Sequence, residues 1–162
     1  MDNLKDLYID QLQDLYSACK QSHEVTGELE NAATDQNLKD ALRAGQEGIS
    51  KGMEAFKGII EGHGASPTGE HCKGMEGLVQ EARAHALDET FSDDSVRDAM
   101  IITQYQRMAH YAIAGYGCVK AFATRLGLED EASKISEHLA HTYHGDETMT
   151  EIATSGINKD AA

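Results

Sequence analysis

The sequence predicts an all-α fold: an antiparallel four-helix bundle with an additional short helix in a long crossover. Three observations predict it. Apolar residues recur at three- and four-residue steps through four long stretches of the chain. The 162 residues include one proline, no tryptophan and only 6% aromatics, too few for the turns and strands of an all-β domain. The periodic stretches are separated by tight breaks except in the middle, where the chain runs on before periodicity resumes.

The first helix is expected at about residues 3–33, with Leu4, Tyr8, Leu12, Leu15, Cys19, Val25 and Leu29 on its inner stripe. The second is expected at about 36–61, with Leu38, Leu42, Ile49, Met53, Phe56 and Ile60 inward. The stretch GHGASPTG, Gly62 to Gly69, holds the single proline and is the clearest break. A shorter helix follows at about 72–87, with Met75, Leu78, Val79 and Ala82 inward. Ser92, Asp93 and Asp94 offer N-caps for the next long helix, about 94–126, and Gly127 stands where a C-terminal cap belongs. The last helix is expected at about 129–153, and residues beyond Ser155 should fray. Residues 1–162 therefore read as one domain. Two tight hairpins joined by one long crossover give the connectivity of ferritin-like bundles.

Charge narrows the partners. Asp and Glu number 28 against 14 Lys and Arg, a net charge of −14. That excess argues against nucleic acid and against an anionic membrane surface, which both require a basic face. No apolar run approaches ~20 residues. The N-terminal MDNLKDLYIDQ has no apolar region of the signal-peptide kind. Cys19, Cys72 and Cys118 are widely spaced and form no CxxC pair, so neither a zinc ribbon nor a disulfide framework is signalled. The expected setting is the reducing cytoplasm. No GxGxxG, P-loop or Ser-His-Asp pattern is present to assign.

Several stretches are shared with a known family: DLYSACKQ near the start, CKGMEGLVQEA in the middle, VRDAMIITQYQRMAHYAIAGYG in the third long helix, and the hydrophobic frame of the last helix. The chain resembles the YciF-type bacterial stress-response proteins of the ferritin-like superfamily, in register from about Leu4 to Ile157. The resemblance implies a ferritin-like bundle, a homodimer, and a dinuclear metal site built from carboxylates and histidines projecting inward from all four long helices. At the positions where that pattern calls for inward ligands, this chain carries Cys19 on the first helix and Gly45, Gly48 and Gly52 on the second. The third long helix carries Ala109 and Ala112, and the last carries His141 and Thr142. Glu47 remains near the second-helix pattern but leaves the core stripe. The carboxylates of the pattern are missing on every helix, so carboxylate di-iron oxidase or ferroxidase chemistry is not expected. A binding or structural role without an enzymatic step is expected instead.

The replacements are small. Helix-interior glycines cost ~0.8–1 kcal/mol each relative to alanine, so three on one face call for a reason. Two are open. Either small residues let the helix backbones approach there, or the face borders a mid-bundle cavity for a cofactor or apolar ligand, lined by Cys19, Gly45, Gly48, Gly52, Ala109, Ala112 and Thr142.

A second reading of the site uses Cys and His ligands for a metal. His23 follows Cys19 by one turn, and the first and last helices run parallel in this topology. Cys19, His23, His141 and His144 could then converge, against the plainer reading of solvent-facing or interhelical histidines. His138, His141 and His144 step by three and spread around the helix rather than forming one column. His110 should face a neighbouring helix or a dimer partner. His63, His71 and Cys72 lack structural-zinc spacing, and Cys72 reads as packing. Tyr16, Tyr105, Tyr111 and Tyr116 read as core residues, each needing a hydrogen-bond partner for its hydroxyl.

Overall fold

The computed structural model describes residues 1–162 and contains no strand. Helix α1 spans Leu4–Ala32, α2 Gln36–Gly62, α3 Lys73–Ala82, α4 Asp94–Arg125 and α5 Glu129–Ile152. These bounds fall within about two residues of the expected ones. The exception is α3, which passes into a π-helical turn at Arg83–Leu87.

Caps and turns explain the boundaries. The Asn3 side chain accepts from the Asp6 amide and starts α1, and Asp35 does the same for α2 through the Leu38 amide. Asp93, among the three expected candidates, caps α4 through the Ser95 amide. Gly127 closes the turn after α4 with φ of 73°, a conformation that favours glycine. The α1–α2 turn is fastened to α4 by Asp98, which is 1% exposed. Its carboxylate accepts from the Thr34 amide at 2.9 Å, the Thr34 hydroxyl at 2.7 Å and the Asp35 amide at 2.8 Å. A buried carboxylate needs such partners.

The two hairpins, α1–α2 and α4–α5, lie side by side, α1 against α4 and α2 against α5. Helix α3, in the crossover, packs on α1 and α4. The buried apolar residues form two clusters along the bundle. One, near the α1–α2 turn, includes Val25, Leu29, Leu38, Leu42, Ile101 and Met149. The other, towards the opposite end, includes Tyr8, Leu12, Phe56, Ile60, Val119 and Ile135.

The C-terminus departs from expectation. Instead of fraying after Ser155, the chain makes a π-helical turn at Ala153–Ile157 and a short helix α6, Asn158–Asp160. The wider turn accompanies the return of Ile157 to the core, 4% exposed, against α4. Burying that one side chain favours order over fraying.

Candidate functional site

Between the two apolar clusters the bundle holds a cavity of about 320 Å³. Helix α1 contributes Ser22 and Thr26, and α2 contributes Ala41, Ala44, Gly45, Gly48 and Ile49. Helix α4 contributes Tyr105, Met108, Ala109, Ala112 and Tyr116. Helix α5 contributes His138, His141, Thr142, His144, Gly145 and Thr148. Ala44, His141 and His144 are exposed, so the cavity opens along the α2–α5 seam. None of these residues is Asp, Glu, Lys or Arg.

Of the small-residue positions singled out in the sequence, Gly45, Gly48, Ala109, Ala112 and Thr142 line the cavity. Cys19 and Gly52 do not. Tyr116 lies between them and the open space. Its hydroxyl is hydrogen-bonded to the Cys19 sulfur at 3.0 Å, and a Cβ on Gly52 would sit 3.7 Å from the same hydroxyl. The α1 side of the cavity is therefore one and two turns beyond Cys19, at Ser22 and Thr26.

The two proposed reasons for the glycine face apply at different positions. A Cβ on Gly48 would meet nothing within 4 Å. A Cβ on Gly45 would collide with the phenol of Tyr105, so here small size allows close approach by α4.

Cys19, His23, His141 and His144 are not brought together: no three His, Cys, Asp or Glu residues are placed to hold one metal ion. Cys19 is sealed in the core, and burial pushes its thiol up to about 11. His23 is partly buried on α1 and lies outside the cavity wall, whereas His141 and His144 sit at the exposed mouth.

The remaining sequence candidates are engaged elsewhere. His110 bonds Asp146 of α5 at 3.0 Å, the neighbouring-helix alternative. His63 shares a carboxylate oxygen of Glu131 with the Tyr8 hydroxyl, at 3.1 and 2.8 Å, tying the far ends of α1, α2 and α5 together. His71 pairs with Glu76. Cys72 is buried, caps α3 through the Met75 amide and bonds the Tyr111 hydroxyl at 3.0 Å.

Two wall residues were named in the sequence only as a core tyrosine and as one of three spread histidines, and not as part of the cavity. Tyr105 is 8% exposed, and its hydroxyl makes no hydrogen bond within the chain. Asp146 acts on it through charge but bonds Gln106 and His110 instead. Burial, with the Asp146 charge adding to it, pushes the phenol up to about 12, so it keeps its proton. His138 also makes no ring hydrogen bond. It stacks obliquely on Phe56 and edge-on to His141. Burial, and then the neighbouring His141, hold it below the usual imidazole range, in the neutral form at pH 7. A tyrosine facing glycines on two helices, Gly45 and Gly145, was the available signal for Tyr105.

The hydroxyls of the wall are committed as donors to their own helices. Ser22 donates to the Cys19 carbonyl, Thr26 to Ser22, Thr142 to His138 and Thr148 to His144. Towards the cavity they can only accept. Tyr105 and the imidazoles of His138, His141 and His144, none of which bonds within the chain, are the groups free to donate, and of these His141 and His144 stand at the exposed mouth.

Comparison with known proteins places this architecture. The chain matches the family described as domain of unknown function DUF892 over residues 3–162. It is 31% identical to protein YciF of Escherichia coli strain K12, over 99% of this chain and 96% of that one. The crystal structure of the E. coli stress protein YciF superposes with a TM-score of 0.90, covering 98% of this chain and 99% of that one. YcfI from Rhodopseudomonas palustris superposes with a TM-score of 0.86 at 27% identity, covering 93% and 94% of the two chains. With the sequence match running nearly end to end and the same helical bundle beneath it, the chain belongs to the DUF892 family, the YciF-type proteins.

Proposed function

We propose that this chain is a stress-associated ferritin-like bundle protein that holds a small organic molecule in its mid-bundle cavity and performs no ferroxidase chemistry. The observation that supports this reading is the chemistry of the wall. A carboxylate-bridged dinuclear centre draws oxygen ligands from facing helices, and the 18 residues around this cavity include no Asp or Glu. The residues present do not fit that group, and no oxidation step follows from them. They do fit a ligand site: a concave, largely apolar space with a few convergent polar groups. The resemblance to YciF also supports a homodimer in the cytoplasm, testable by light scattering at micromolar concentration.

The test is metal analysis of protein purified without chelator, repeated after anaerobic Fe(II) loading and exposure to air. The expected result is iron far below stoichiometric and no charge-transfer absorption. Two irons per chain with an oxo-bridged spectrum would overturn the reading.

A further inference from the structure

We infer that the mid-bundle cavity is a site for an uncharged organic molecule of about two fused rings, carrying an oxygen that accepts a hydrogen bond from the Tyr105 hydroxyl. This deepens the binding role proposed above and rests on it. Three observations carry it.

The first is the unpartnered phenol. A phenol hydroxyl with no partner inside the chain and open to a cavity keeps its donor for a molecule that enters. Tyr105 is 8% exposed, and its hydroxyl points between Gly45 and Gly145 into the cavity. A ligand oxygen at that point supplies the partner that the chain does not. The glycines matter here, because a Cβ on Gly45 would occupy the place of the phenol.

The second is size. An apolar cavity of ~150 Å³ accommodates benzene. At about 320 Å³ this cavity has room for roughly twice as much. The open side of Gly48, with no atom within 4 Å of a Cβ, and the short side chains of Ala109 and Ala112 leave room on the α2 and α4 faces.

The third is charge. No Lys, Arg, Asp or Glu stands in the wall. The basic groups of the wall are three histidines: His138, held neutral by burial, and His141 and His144 at the exposed mouth. A charged ligand seated inside would be desolvated without a fixed counter-charge, and the net charge of −14 repels anions. The hydroxyls of Ser22 and Thr142 retain only acceptor capacity towards the ligand. A ligand hydroxyl can therefore both accept from Tyr105 and donate to the wall.

The test uses 2-naphthol as probe, with naphthalene and 2-naphthoate as comparisons, titrated calorimetrically into the full-length protein. We expect saturable binding of 2-naphthol at one site per chain, weaker naphthalene binding, and 2-naphthoate binding at least tenfold weaker than 2-naphthol. Tyr105→Phe should weaken 2-naphthol about three- to tenfold, the equivalent of one neutral hydrogen bond, and leave naphthalene unchanged. Gly48→Leu, which fills the open side, should abolish binding of both while leaving a cooperative melt. Binding that survives Gly48→Leu would place the probe elsewhere and overturn the inference. So would tighter binding of 2-naphthoate than of 2-naphthol, or equal loss of both neutral probes in Tyr105→Phe. Absence of 2-naphthol binding together with absence of bound iron would overturn this ligand class and leave the reading of the lost metal site intact. Two irons per chain would overturn that reading as well.

Discussion

Two layers of the same bundle, one turn apart on α2, have opposite character. Around Gly52 the space is filled: Phe56, Tyr116 and Ile135 are buried, the Tyr116 hydroxyl is bonded to Cys19, and Gly52 itself is in ordinary contact. Around Gly48 the same four helices leave a cavity, and the Tyr105 hydroxyl that reaches towards it has no partner. Both layers carry small residues on α2. What separates them is the side chain that α4 sends across the bundle. Tyr116 finds a partner and closes its layer, whereas Tyr105 is held aside between two glycines and leaves its layer open. A small-residue stripe therefore does not determine whether a bundle closes or opens. The residue opposite it does.

The largest contrast should come from truncating the two walls. Phe56→Ala should cost about 3–5 kcal/mol in urea unfolding, since it empties a filled layer. Ile49→Ala borders space that is already open and should cost well under half as much. Equal costs would mean that the upper layer is packed in solution.

Alanine at the two cavity glycines should give opposite signs. Gly45→Ala should destabilise by about 1–3 kcal/mol, because the new Cβ displaces the Tyr105 ring. Gly48→Ala should stabilise by about 0.5–1 kcal/mol, gaining helix propensity without meeting a neighbour. Thermal melts of the pair decide the matter, and a shift of the same sign in both would break the distinction.

Removing the two hydroxyls should separate the layers again. Tyr116→Phe deprives buried Cys19 of its partner and should cost about 1 kcal/mol. Tyr105→Phe loses no hydrogen bond and should fall within about 0.5 kcal/mol of the parent.

The smallest effect concerns pH. The folded state holds His138 below its ordinary value of 6.5, so the native protein resists the proton more than the unfolded chain does. The resulting stability is present above pH 6.5 and is lost as pH falls below it towards the folded value. On going from pH 7.5 to pH 5, Tm should fall slightly further in the parent than in His138→Phe. An identical fall in both would show that the imidazole is not held neutral.

Most of the fold was legible because it rests on local signals: the apolar stripes of α1 and α2, the Asp93 cap, and Gly127. The ordered C-terminus was not, because Ile157 is a single apolar residue and its burial depends on a π-helical turn that no period reveals. At the site, the face formed by Gly45, Gly48, Ala109 and Ala112 was visible as a run of small residues in helical register. Its α1 edge was misplaced by a turn or more, since Cys19 is covered by Tyr116, a side chain from another helix. The free hydroxyl of Tyr105 was beyond sequence reading for a similar reason. It faces open space because Gly45 of α2 and Gly145 of α5 stand beside the phenol. Helical spacing gives directions from one helix, and what stands opposite a side chain on the other helices is a property of the packed whole.

The most direct measurement is a crystal structure of the full chain grown with 2-naphthol, with diffraction recorded also at the iron absorption edge. The expected result is one naphthol between Gly48, Ala109 and Ala112, its oxygen within hydrogen-bonding distance of the Tyr105 hydroxyl, and no anomalous peak in the bundle. A pair of iron peaks in the cavity, or a naphthol bound only on the outer surface, would contradict a ligand site in place of a metal centre.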